Sequence, residues 1–146
     1  GLPLSILKMN DKHKMCVLEM GASKKGDISY LTSIASPKIV ALLNVSSAHL
    51  ESFKDLENIR LTKEEIFSDQ GYKKIVILNK DDKNFSRWNN IVKKHQVRTI
   101  SKTKEADYYI NNIDNDTLTI KMPDNKSFKL VLKHHHKHYI EIYFFQ

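Results

Sequence analysis

Residues 38–79, KIVALLNVSSAHLESFKDLENIRLTKEEIFSDQGYKKIVILN, decide the fold. Two apolar runs, Lys38 to Asn44 and Lys73 to Asn79, read as strands, each continuous in the manner of a strand covered on both faces. Between them Leu56, Ile59, Ile66 and Phe67 recur at helical spacing, which predicts a helix over Asp55 to Gln70 ended by Gly71. Strand, helix, strand in that order is the pattern of parallel pairing through a crossover.

The same alternation extends outward. Upstream, Lys14 to Met20 reads as a short buried strand, and Asp27 is placed to cap the helical segment ISYLTSIAS, whose Ile28, Leu31, Ile34 and Ala35 share a face and which Pro37 stops. Downstream, Asn84 to His95 predicts a helix carrying Trp88, Ile91 and Val92, and Val97 to Ile100 a fourth short strand. Beyond residue 100 the character changes. Ala106 to Ile113, Thr117 to Met122 and Phe128 to Leu132 read as three antiparallel strands, the last two joined by a turn at Pro123, Asp124 and Asn125. The expected fold is therefore α/β, a three-layer, mostly parallel sheet over residues 1–100 with a small antiparallel segment over 106–132. Residues 133–146 form an atypical tail.

At 146 residues the chain has length for one well-buried core. Lys and Arg total 24 against 17 Asp and Glu, a net charge of +7. The basic residues are scattered through every segment, which favours a solvated surface over a nucleic-acid face. Cys16 is the one cysteine, so no disulfide forms within the chain, and its place in MCVLEM suggests a small core residue in a reducing cytoplasm. No apolar run approaches the roughly 18 residues that span a bilayer. GLPLSILKM at the start reads as an apolar segment already under way, so the chain looks cut.

In open α/β sheets ligands collect beyond the carboxyl ends of the strands. Here those ends are polar. Glu19 closes the first run, His49 follows the second by five residues, and Asn79, Lys80, Asp81 and Asp82 close the third. Parallel strands would carry them to one edge. A partly buried Glu19 needs a cation, either a hard ion such as Mg²⁺ or one of the many lysines. Lys63 falls four after Ile59 and three before Ile66, inside the apolar stripe, where an ammonium must snorkel, pair or be chemically changed. Neutralising Glu19 is one such role. A lone histidine such as His49 is more often structural than a ligand, and HHHKH at 134–138 reads as a disordered basic tail in preference to a weak transition-metal site. The chain has four glycines and no G-x-x-x-x-G-K-[ST] loop to cradle phosphates.

The strings VLEMGASKKGDI, NVSSAHLESF, KEEIF and LNKDD, in that order and at these intervals, resemble the central domain of the Mur ligases over about the first ninety residues. The resemblance implies ATP-dependent amide synthesis in peptidoglycan assembly. ATP would phosphorylate the terminal carboxylate of a UDP-N-acetylmuramoyl-tripeptide, and the amine of D-alanyl-D-alanine would attack the acyl phosphate. By motif, Glu19 and His49 would hold Mg²⁺, and Lys63 would be carbamylated and join them, with His49 and Lys63 also serving catalysis. Asn79 would contact adenine, with Asp81 and Asp82 shaping its pocket. The resemblance further implies a monomer when full-length, in the cytoplasm, with neither nucleic acid nor membrane as partner. It also implies that the phosphate loop precedes Gly1 and that substrate domains flank the chain. The family's glycine and His-Asn after the antiparallel strands are replaced here by Lys133 and HHHKHYIEIYFFQ. The 146 residues alone are therefore expected to be inactive. The alternative readings are a basic interaction or nucleic-acid-binding module, and a nonfunctional remnant.

Overall fold

The computed structural model describes residues 1–45, 55–102, 106–114 and 117–131. They form two compact units, residues 1–38 with 45–72 and residues 39–44 with 73–146. The second unit holds a single six-stranded sheet in the order β1 (Ile39–Leu42), β2 (Ile75–Asn79), β3 (Gln96–Ser101), β4 (Tyr108–Asp114), β5 (Thr117–Lys121) and β6 (Ser127–Val131). The pairs β1–β2, β2–β3 and β3–β4 are parallel, and β4–β5 and β5–β6 antiparallel. The mostly parallel sheet and its antiparallel extension are thus as the periodicity predicts. One pairing differs, because the strand expected to open an antiparallel set first joins β3 in parallel, through Ile100 and Ser101.

Val76 and Leu78 of β2 are fully buried, and Trp88 and Val92 beside them have no exposure at all. These two come from the segment of α4 (Phe85–Ile91), which packs on β2. Large apolar side chains from a central strand and its helix thus supply the core. β1 is the sheet's edge, and it alternates between exposed Ile39 and Ala41 and buried Val40 and Leu42. The expectation of cover on both faces fails there, since a parallel edge strand has one neighbour and here one covered face. The turn between β5 and β6 puts Asp124 and Asn125 at φ of 64° and 60°, the left-handed region that Asn and Asp tolerate best after glycine.

The first unit is helical: α1 (Leu2–Leu7), α2 (Asp27–Ala35), α3 (Leu56–Glu64) and a 3₁₀ turn over Glu65–Phe67. Ile28 and Thr32 of α2 face its interior with Ile59, Thr62 and Phe67, while Ile34, expected on the buried face, is partly exposed. Thr32 satisfies its hydroxyl by donating to the Ile28 carbonyl at 2.6 Å, the local bond that lets a threonine be buried in a helix. The helix expected over Asp55 to Gln70 is shorter than its apolar spacing suggested. Asp55 caps it, accepting from the Asn58 N–H at 2.7 Å, but the chain tightens to 3₁₀ after Glu64. Gly71 (φ 76°) closes a separate turn, its N–H donating to Asp69 Oδ1 at 2.9 Å.

Lys14 to Met20 forms no strand. No described strand pairs with it, so its backbone has no ladder; Leu18 and Met20 are half-buried and the other side chains are exposed. Met15 and Val17 are 84% and 92% exposed, and Cys16 is exposed rather than core. No helix among the described residues is long and apolar enough to cross a membrane.

Candidate functional site

The third strand end gathers its polar residues. Asn79, the last residue of β2, is buried, and its Oδ1 accepts from the Asp81 N–H at 2.9 Å. Asp81 in turn reaches β3: Oδ1 accepts from the Ser101 hydroxyl at 2.6 Å and Oδ2 from the Lys102 N–H at 2.7 Å. The Lys80 N–H donates to the Ile100 carbonyl at 2.9 Å, so the exits of β2 and β3 are stitched by backbone and side chain together. Asp82 turns the other way. Its Oδ1 accepts from the N–H and the side-chain amide of Asn84, at 2.7 and 2.9 Å, ordering the turn that opens α4. Three of the predicted residues are therefore neighbours in one turn, and the two aspartates brace it.

Elsewhere in this unit Asp107 holds the entry of β4, accepting from the N–H and hydroxyl of Thr99 at 2.7 and 2.9 Å while its own N–H donates to the Thr99 hydroxyl at 2.9 Å. At the opposite end of β2, the Lys74 N–H donates to His95 Nδ1 at 3.3 Å and the Lys74 carbonyl accepts from the Gln96 N–H at 3.0 Å. Both ends of the β2–β3 pair are thus fixed by side chains as well as by the ladder.

In the first unit Glu19 is exposed, against the expectation of partial burial. The cause is the missing strand, since a carboxylate on an unpaired segment keeps its hydration. Lys63 is half-buried one residue before the end of α3. Its stripe is also reorganised: Ile59 and Phe67 are buried, but Leu56 and Ile66 only half so. Tightening from 3.6 to about 3 residues per turn after Glu64 shifts Ile66 out of the helical phase, while Leu56 sits at the first position of α3. His49 lies outside the described residues.

Arg60, buried on α3, pairs with Glu57 and with Glu64, the latter at 2.7 Å. Burial lowers the affinity of its guanidinium for a proton, but the hydrogen bonds to the two glutamates more than offset this and hold it above its ordinary value.

The loop after Glu19 is closed differently from its expected cap. Gly26 (φ 93°) is the N-cap of α2, and Asp27 points back, Oδ2 accepting from the N–H groups of Ser23 and Lys24 at 2.8 and 3.0 Å. Those two bonds lower the Asp27 carboxyl below the usual range. The helix end is served by Glu65: Oε1 accepts from the Gly26 N–H at 2.7 Å and Oε2 from the Ser29 N–H at 3.1 Å. At the other end of α2 the Gln70 amide donates to the Thr32 carbonyl at 2.7 Å, and Tyr72 donates to Gln70 at 2.7 Å. Sequence reading found neither Glu65 nor Gln70, because no spacing rule links residues 36 to 39 positions apart.

Among the described residues no three His, Cys, Asp or Glu side chains are gathered as a metal cluster. Glu19 offers one hard oxygen donor, which suits Mg²⁺. Lys63 offers an amine, which suits it only after conversion to an oxygen ligand. The donor chemistry of these two is thus compatible with Mg²⁺ on that condition.

The Mur ligase middle domain family matches residues 1–142. The UDP-N-acetylmuramoyl-tripeptide–D-alanyl-D-alanine ligase of Buchnera aphidicola subsp. Acyrthosiphon pisum is 36% identical over 115 residues, covering 77% of this chain and 25% of that protein. The chain spans about a quarter of the length of the relatives it matches. Among solved structures, MurF from Acinetobacter baumannii superposes with a TM-score of 0.81 over 96% of this chain and 31% of its own, at 23% identity, a likeness of fold. The MurF ligase of Thermotoga maritima, solved in complex with ADP, is 32% identical with a TM-score of 0.72, over 90% of this chain and 31% of its own. Fold, ordered strand ends and matched length agree: the chain belongs to the Mur ligase middle domain family.

Proposed function

We propose that these residues are the nucleotide-binding middle part of an ATP-dependent ligase that joins D-alanyl-D-alanine to UDP-N-acetylmuramoyl-tripeptide through an acyl phosphate. The observation that carries the reading is the likeness to the ADP-bound Thermotoga maritima ligase, which extends over 90% of this chain. The reaction belongs to the cytoplasm, where ATP is available, with a monomer as the working form and neither nucleic acid nor membrane as partner.

Asn79 is the adenine contact. An amide offers one donor and one acceptor in a plane, which matches the donor and acceptor pair on an adenine edge. Its own acceptor is oriented by the Asp81 N–H, so Asp81 presets the amide before nucleotide arrives. Asp82 serves the same end by ordering the turn that leads into α4.

Glu19, His49 and Lys63 are the residues that would hold Mg²⁺, with His49 and Lys63 also serving the chemical step. The Lys63 ammonium first gives up one proton; the neutral Nζ then forms an N–C bond to CO₂, one C=O π pair moves onto oxygen, and a second proton leaves Nζ for solvent. With two protons released, a charge of +1 on the ammonium becomes −1 on the carbamate, whose oxygens are hard donors. A Mg²⁺ ion held by these residues would supply positive charge for a phosphoryl group in transfer.

Calorimetric titration with Mg·ADP and Mg·GDP tests the reading. Saturable ADP binding, preferred over GDP and weakened about tenfold by Asn79→Ala, a loss of about 1.4 kcal/mol, is the expected result. Equal binding of the two nucleotides, or affinity indifferent to Asn79, would remove the adenine assignment.

A further inference from the structure

We propose that Glu65 is a positioning residue for Lys63, and this rests on the carbamate reading above. Glu65 lies two residues beyond Lys63, where the chain leaves α3 for a 3₁₀ turn. Its two carboxylate oxygens take two different backbone N–H groups of the α2 start, Gly26 at 2.7 Å and Ser29 at 3.1 Å. Hydrogen bonds to an ionised acceptor are about twice as strong as neutral ones, and the positive end of a helix dipole strengthens them further. A helix start would ordinarily be served by a side chain of its own N-cap. Here the N-cap is Gly26, which has none, and Asp27 is committed to Ser23 and Lys24.

The consequence is a continuous set of bonds between the segments that carry two candidate ligands. The loop that follows Glu19 is folded onto Asp27, Asp27 opens α2, the first turn of α2 is held by Glu65, and Glu65 follows directly on the last turn of α3, which carries Lys63. A carbamate is retained only where its amine is held at a constant position among its partners, and metal ligands lose affinity when the groups that orient them are removed. Glu65 therefore acts on the metal through Lys63 and not by touching it.

The test uses the 146-residue chain in ¹³C-bicarbonate, with Lys63→Ala to identify the Lys63 carbamate resonance. Mn²⁺ affinity from water-proton relaxation and the circular dichroism spectrum are measured on the same samples. Glu65→Gln, which keeps one acceptor and loses the charge, is expected to fold, to lose most of the carbamate signal and to bind Mn²⁺ about tenfold more weakly. Glu65→Asp, with its charge kept and its reach shortened, should fall between the two. A folded Glu65→Gln with undiminished carbamate and Mn²⁺ affinity overturns the proposal and leaves the carbamate reading standing. A wild-type chain with no Lys63-dependent signal overturns that reading, and the proposal with it. If Glu65→Gln does not fold, Glu65→Asp carries the test: wild-type signal and affinity in it overturn the proposal, and partial loss supports it.

Discussion

Asp27 stands at the first position of a helix and leaves that helix end to another side chain. Its carboxylate instead collects the N–H groups of Ser23 and Lys24, which lower its affinity for a proton. A carboxyl whose folded-state value is depressed contributes stability above the unfolded value, and loses it as pH falls through the folded one. Asp27→Asn should therefore match the wild type less well near neutrality than in acid, the two melting curves converging below about pH 4. Thermal unfolding between pH 6 and pH 2.5 checks this, and a gap that widens in acid would contradict it. At this scale the sequence was legible for Asn79, Asp81 and Asp82, because residues one to three apart on a strand exit must share a turn. It was not legible for Glu19, whose burial depended on neighbours that the run MCVLEM cannot specify, nor for Glu65, whose partners are 36 and 39 positions away.

Strands with two neighbours obeyed their apolar runs. The run before Asn79 became β2, with Val76 and Leu78 fully buried, because flanking strands and α4 give those side chains somewhere to go. The similar run at Lys14 to Met20 did not become a strand, since apolar character stabilises a strand only through the pairing and cover it receives. The helix after Asp55 was legible at its start, where a local cap decides, and not at its end, where the change to 3₁₀ has no periodic signature. The same contrast predicts the cost of substitutions on α4. Trp88→Ala should lower stability by about 3–5 kcal/mol by opening a cavity against β2, whereas Ile91→Ala, at a position 44% exposed, should change it by about 0.5 kcal/mol. Chemical denaturation of the two variants decides, and comparable losses would mean that α4 is not packed by Trp88.

The family relationship concerns residues 1–142, and the part aligned with the Buchnera relative amounts to a quarter of that protein's length. The four glycines of this sequence include no phosphate-cradling loop. The 146-residue polypeptide alone should release no phosphate from ATP in the presence of UDP-N-acetylmuramoyl-tripeptide and D-alanyl-D-alanine. Turnover above a heat-treated control would show that the chain supplies a phosphate grip of its own. The exposed Leu4, Leu7, Met15 and Val17 of the first unit also predict association at high concentration, seen as scattering that rises faster than linearly.

The proposed account depends most on three side chains, Glu19, His49 and Lys63, meeting at one ion. Crystals of the chain grown with Mn²⁺ and bicarbonate, with diffraction collected at the manganese edge, examine that directly. The predicted map has one anomalous peak at about 2.1 Å, the distance expected for a metal of this kind, from oxygens of Glu19 and of a carbamylated Lys63 and from a ring nitrogen of His49. A map with Glu19, His49 and Lys63 directed into separate regions, and manganese elsewhere or absent, would contradict it.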